Sequence, residues 1–251
     1  MKPLIALVAV AALAGCSAPT PSETATADAL SGTVTVFAAA SLTDSFQAIA
    51  DAFAEEHPGV TVTFNFGGSS GLATQIVEVA PADVFAAASP ATMKTVTDAA
   101  LTDGDPADFA TNVLEIAVAK GNPGGITGLE DFANADKTIA LCAVEVPCGA
   151  AAAKLFDAAG IVPSVDTYEQ DVKAVLTKVE LGEVDAGVVY VTDVLDAGDA
   201  IEGIDVDSAP VAYPIATLSA STNKEAAHAF VDFVLSTRGQ SILKAAGFGA
   251  P

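Results

Sequence analysis

The chain has 251 residues, 51% of them apolar, no tryptophan and a formal charge of −22. That length and apolar fraction suffice for a substantial core, in one large or two medium lobes. The charge excludes nucleic acid as a partner. It does not exclude a buried anion: at physiological salt, charges beyond about 8 Å are largely screened, and an enclosed anion answers to the dipoles and N–H groups that touch it.

Lys2 is followed by an apolar run from Leu4 to Leu13, too short to span a bilayer, which reads as a signal peptide over residues 1–15. Leu13-Ala14-Gly15-Cys16 resembles the bacterial lipobox, in which the cysteine is lipidated and becomes the mature N-terminus. Residues 17–31 are mostly Ser, Thr, Ala and Pro without apolar periodicity, and with Cys16 they read as a lipidated tether over 16–31. No later stretch is apolar enough to span, so the folded part is expected outside the cell membrane, held to its outer face through Cys16, in the periplasmic or cell-wall space. Cys142 and Cys148 then remain as a pair in an oxidising setting. A disulfide closing so short a loop is worth roughly 2 kcal/mol. Two buried free thiols are the alternative, and a zinc site lacks further ligands nearby.

The first unit is a strand over 33–38 and a helix over about 42–56, whose Phe46, Ile49, Ala50 and Phe53 share one face. Ser41 stands three residues before Asp44, a capping box with Asp in place of Glu. His57-Pro58-Gly59 ends the helix, Val60 to Phe66 alternates as a strand, and Gly67-Gly68-Ser69-Ser70-Gly71 opens a helix bearing Leu72, Ile76 and Val79. Phe85-Ala86-Ala87-Ala88-Ser89 repeats Phe37-Ala38-Ala39-Ala40-Ser41, although Ser89-Pro90 reads as an ordinary helix cap.

Asn112 to Lys120 reads as one strand, followed by Gly121-Asn122-Pro123-Gly124-Gly125, a place for the chain to cross into a second lobe. Beyond it come a strand over 137–142, helices over 149–159 and about 172–181, a strand over 186–190 and a helix opened by Asp193. Val211 to Leu218 returns to the first lobe, and two helices between Asn223 and Ala246 finish the chain. This alternation predicts an α/β protein with mostly parallel sheets flanked by helices. The lobes are expected at 32–111 with 213–251, and at 112–212, hinged near 111–113 and 210–214.

Gly67-Gly68-Ser69-Ser70-Gly71 matches G-x-S-x-G, and His228 follows it, so a serine hydrolase using Ser69 is the enzyme reading. His228 falls opposite the apolar face of its helix, however, and a motif of Gly and Ser is unspecific. Phosphate-loop, zinc and calcium patterns are absent from the sequence, so no cofactor and no free metal ion is expected. What remains is a pair of strand-to-helix junctions, at Ser41 and Ser69, where the positive ends of helices make seats for an oxyanion. Serine hydroxyls, backbone N–H groups and a tyrosine hydroxyl hold such an ion without any cation.

Several pieces now carry a family resemblance: Val36 to Leu42, Ser69-Ser70 with Leu72-Ala73 and Gln75-Ile76, Ala80-Pro81-Ala82-Asp83-Val84-Phe85, Val146-Pro147-Cys148-Gly149, and Gly187-Val188-Val189-Tyr190. Together they resemble the molybdate-binding proteins of bacterial ABC importers, over about Thr33 to Phe248. The resemblance implies a two-lobed periplasmic-binding-protein fold of type II with the ligand in the cleft between lobes. It implies binding of molybdate, and tungstate with it, molybdenum entering only as the oxyanion. The partners implied are a membrane permease and its cytoplasmic ATPase, with the binding protein a monomer. Carried across by motif, the donors are Ser41 and Ser69, or Ser70 in its place, from lobe one, and the N–H groups of Cys148 and Val172 with the Tyr190 hydroxyl from lobe two. Val172 also follows Asp171, a good N-cap, so its N–H is a spare first-turn donor. Sulfate or another tetrahedral oxyanion is the competing ligand. The family usually has glycine where this chain has Val79, so a turn glycine is missing.

Overall fold

The computed structural model describes residues 30–251. The signal peptide, Cys16 and nearly all of the tether lie outside the described residues. The first sheet has the order β2-β1-β3-β10-β4, built from β1 (Gly32–Ala39), β2 (Val60–Gly67), β3 (Val84–Ala86), β4 (Ala107–Asn112) and β10 (Val211–Thr217). The second has the order β7-β6-β8-β5-β9, from β5 (Leu114–Ala119), β6 (Ile139–Cys142), β7 (Thr167–Glu169), β8 (Ala186–Tyr190) and β9 (Ile201–Asp205). Both sheets are mixed. In each, only the fourth strand of the order, β10 or β5, runs against its neighbours, so the mostly parallel expectation describes the strand directions.

Side-chain alternation places β1 between two layers. Val34, Val36 and Ala38 enter the main core with α1 (Thr43–Glu56) and α7 (Lys224–Leu235), while Phe37 packs with Leu72 and Ile76 of α2 (Ser69–Val77) and Met93 and Val96 of α3 (Pro90–Asp98). Helix α8 (Thr237–Ala245) closes the chain against α1 and α7. The second sheet is covered by α4 (Pro147–Ala159), α5 (Val172–Glu180) and α6 (Val191–Ala197).

The strand expected over 112–120 is β5, which starts two residues later, at Leu114, because Asn112 ends β4. The Asn112 amide accepts the Val113 N–H at 3.0 Å and donates to Thr192 Oγ1 at 2.9 Å, which takes the chain out of the first sheet after Asn112. The crossing therefore lies at Val113, and the Gly121–Gly125 turn, expected as a crossing point, falls inside the second half after β5. The return runs over 206–210, and Val211 already pairs with Asn112 in the first sheet.

Helix α6 starts at Val191, two residues before the expected Asp193. Asp193 reaches back one turn instead, its Oδ2 accepting the Tyr190 N–H at 3.0 Å. This carboxylate is fully buried, and Lys173 of α5 lies 3.6 Å from its Oδ1, 3.4 Å from Asp196 and 3.2 Å from Asp44 of α1. Burial pushes the Asp193 carboxyl up to about 7, with Lys173 and the Tyr190 N–H opposing that rise and Asp196 adding to it.

Val79 supplies the missing glycine turn without a glycine. Its φ is 69°, its N–H donates to Ile76 and that of Ala80 to Gln75, the paired bonds of a Schellman motif ending α2. A β-branched residue there is strained, and an exposed side chain returns little packing. Val79→Gly should therefore raise stability by about 1 kcal/mol, or ~2–4 °C in Tm, measured by thermal melting; a loss would mean that the Val79 side chain contributes packing. Asp193 gives a pH prediction. An acid whose pKa rises on folding costs stability as pH climbs from its ordinary value near 4 to its folded value, here about 7. Asp193→Asn keeps the acceptor for Tyr190 and removes that cost, so its stability relative to the parent should improve between pH 4 and 7, by a few kcal/mol at most at about 1.4 kcal/mol per unit. Urea melts across this range should show that slope.

Candidate functional site

The carboxyl ends of β1 and β2 in the first sheet and of β6 and β8 in the second face one another, as ligand-binding ends do in open α/β sheets. Between them lies a cavity of about 20 Å³ lined by Ser41, Ser69, Cys148, Val172 and Tyr190, with Ala88, Val146 and Asp171 among its other walls. On the measure by which one water needs about 10–15 Å³, this is room for a small ion. All five predicted site residues are brought together here, three from beyond the crossing at Val113.

Each wall is made locally. Ser41 sits in a single 3-10 turn, Ala40–Leu42, that runs directly into α1. The expected capping box does not form: Ser41 already has a helical backbone, and its Oγ turns across the cleft end to the Tyr213 hydroxyl, 3.0 Å away. Ser69 is the first residue of α2, and its Oγ accepts the Ala88 N–H at 3.0 Å, which leaves its proton to donate. Ser70 is committed elsewhere, donating to the Glu145 carbonyl of the opposite wall at 2.5 Å. The sequence reading left Ser69 and Ser70 open; Ser69 has the free proton. The echo at Ser89 is a plain cap, accepting the Thr92 N–H at 3.2 Å.

On the far wall, Cys148 is the second residue of α4 and Val172 the first of α5, so both N–H groups are first-turn donors without helical acceptors. The Asp171 carboxylate, the only charged group on the cavity wall among the described residues, is occupied in capping its own helix through the Ala174 N–H at 2.9 Å. Cys142 and Cys148 form a disulfide that ties the end of β6 to the start of α4. Beneath it Gly149 leaves no room for a side chain: a Cβ there would lie 1.9 Å from the Ala143 carbonyl. Gly68 plays the same part between walls, since a Cβ would lie 2.2 Å from the Gln170 carbonyl.

The Tyr190 hydroxyl is fully buried, lines the cavity and has no hydrogen-bond partner among the described residues. Burial, reinforced by Asp193, pushes its pKa far above the ordinary value, so it stays a proton donor. Tyr213 behaves likewise, through burial and the neighbouring Tyr190. Its bond to Ser41 was missed at the sequence level. The one signal was Tyr213-Pro214 inside an apolar strand: proline cannot join the ladder of an interior strand, and the register slips there, between Tyr213 and Pro214.

The enzyme reading has no geometry behind it. His228 of α7 is half exposed, 3.2 Å from Asp103 Oδ2 and 3.3 Å from Thr217 Oγ1, and it is not part of the cavity wall around Ser69. Among the described residues no cluster of His, Cys, Asp and Glu could hold a metal ion, and no helix is long and apolar enough to cross a membrane.

Comparison with known proteins agrees with this geometry. The family model for bacterial extracellular solute-binding proteins matches residues 34–249. The molybdate-binding protein ModA of Mycobacterium tuberculosis is 37% identical over 252 aligned positions, covering 99% of this chain and 97% of that protein. Among solved structures, the periplasmic molybdate-binding protein of Azotobacter vinelandii superposes with a TM-score of 0.76 at 20% identity, covering 87% of this chain and 99% of that one. The sulfate-binding protein SubI of M. tuberculosis gives 0.77 at 19% identity over 86% of each chain, and at such identities both likenesses speak for the two-lobed fold alone. The chain belongs to the family of bacterial extracellular solute-binding proteins.

Proposed function

We propose that this protein binds molybdate, and tungstate with it, in the cavity between Ser41 and Tyr190 and delivers the ion to an ABC importer, a membrane permease driven by a cytoplasmic ATPase. The observation that carries the reading is the orphaned Tyr190 hydroxyl, a buried donor on the wall of a cavity whose one carboxylate, Asp171, is turned onto its own helix. A buried hydroxyl without a partner costs roughly 1–3 kcal/mol, and an oxyanion removes that cost. Ser41, Ser69, Cys148 and Val172 supply the remaining donors. No lysine, arginine or histidine lines the cavity among the described residues, so neutral dipoles carry the charge.

The two sheets mark two lobes joined at Val113 and 206–210. Ser70 to Glu145, Lys173 to Asp44 and Gly68 against Gln170 are the contacts that closure makes, and the permease reads the closed form. The protein works as an exported monomer, anchored by lipid on Cys16, and breaks no bond in its ligand.

Calorimetric titration with molybdate, tungstate, sulfate and phosphate tests the assignment. Tight binding of molybdate with much weaker sulfate supports it; sulfate bound as tightly would transfer the protein to sulfate. Tyr190→Phe should weaken molybdate binding by about ten- to hundredfold, one hydrogen bond to a charged group. The free variant should melt no lower than the parent, because the hydroxyl removed had no partner; unchanged affinity would take Tyr190 out of the site. Replacing both Cys142 and Cys148 by alanine should cost roughly 2 kcal/mol of stability and also loosen binding, although only the Cys148 backbone faces the ion. Melts with and without molybdate separate the two effects.

A further inference from the structure

Two serines face the cleft, and each has its oxygen held from behind. Ser69 Oγ accepts the Ala88 N–H, a group that can only donate, so the Ser69 proton is free for the cleft. Ser41 Oγ has the Tyr213 hydroxyl at 3.0 Å, and distance alone leaves the direction of that bond open. The surroundings of Tyr213 decide it. Its ring is fixed among Phe109, Phe248 and Tyr190, with centroids 6.2, 5.5 and 5.9 Å away. Its hydroxyl is fully buried, and Ser41 Oγ is its only hydrogen-bond partner among the described residues, so the Tyr213 proton has that oxygen as its acceptor. Donation then runs in one direction, from Tyr213 to Ser41 and from Ser41 into the cleft.

We propose that Tyr213 is a positioning residue of the oxyanion site: by donating to Ser41 Oγ it commits the Ser41 hydroxyl to donate to the ligand. The Tyr213-Pro214 bulge aims the ring at Ser41, and Ala88 does for Ser69 what Tyr213 does for Ser41. The consequence is selectivity. A serine free to rotate can also accept from a protonated oxyanion such as monohydrogen phosphate or arsenate; one held as a donor suits only a fully deprotonated ion.

The inference rests on the oxyanion reading, and a double-mutant cycle tests it apart from that reading. Tyr213→Phe keeps the ring and should weaken molybdate binding by about tenfold, the effect of one hydrogen bond on a donor to a charged ligand. In the Ser41→Ala background the same change should have an effect below about twofold, since the bond it removes is already gone. Discrimination of molybdate against phosphate should narrow in Tyr213→Phe, a readout that a packing role would not move. Equal losses in both backgrounds, or unchanged affinity and selectivity, would overturn the proposal. Should Tyr213→Phe fail to fold, 3-fluorotyrosine placed at 213 keeps the ring and strengthens the donor. Tighter binding that depends on Ser41 supports the proposal, and no change overturns it. If the unaltered protein prefers sulfate, the molybdate assignment fails and the same cycle run with sulfate decides the role of Tyr213. If it binds no oxyanion, both fall.

Discussion

The close approach of Gly68 to the Gln170 carbonyl sets the separation of the two walls, and the site depends on that separation. A methyl group at position 68 would sit 2.2 Å from that oxygen, so the walls would have to part. Parting them would also carry Ser70 away from Glu145, lengthening the 2.5 Å bond between them. The donors on each side are first-turn groups of helices, fixed by helix geometry to a fraction of an ångström. Their mutual distance is set by this contact, by the Ser70–Glu145 bond and the Lys173–Asp44 pair, and by the short crossings at Val113 and 206–210. For the oxyanion proposed above, such a frame would select by size, because the donors cannot follow a smaller or a larger ion.

The second constraint is electrical. A chain with a formal charge of −22 offers an anion no help at long range, and the cavity contains no cation among the described residues. Apart from Asp171, which caps its own helix, the polar lining is neutral: burial keeps the Tyr190 phenol protonated, and the Ser69 oxygen is occupied by the Ala88 N–H. The one buried carboxylate nearby, Asp193, is kept behind Tyr190, where it shapes the backbone of that residue and meets Lys173.

Much of this was legible in the residues, for identifiable reasons. Strand and helix positions follow from apolar spacing, and the site residues fall at strand-to-helix junctions that Ser, Asp and Pro mark locally. What was not legible depends on distant partners. Ser41 reads as a cap because Asp44 stands nearby, yet its hydroxyl goes to Tyr213, 172 residues away. Nothing around Tyr213 announces a site, since a tyrosine in an apolar strand is ordinary until Pro214 is seen to break an interior ladder. The glycine-rich turn at 121–125 reads as a crossing place but is none; the chain leaves the first sheet within the hinge expected near 111–113, where Asn112 spends its side chain on Val113 and Thr192.

The position of β10 bears on how the protein is made. Strands β3 and β4 are neighbours in the chain but not in the sheet, where β10 lies between them. A chain that emerges from its N-terminus therefore carries a first sheet with a vacant row until residues 211–217 arrive, and the whole second half is synthesised in that interval. Pairing at such separation is slow to form. The order of the strands thus ties completion of the first sheet to a segment near the C-terminus.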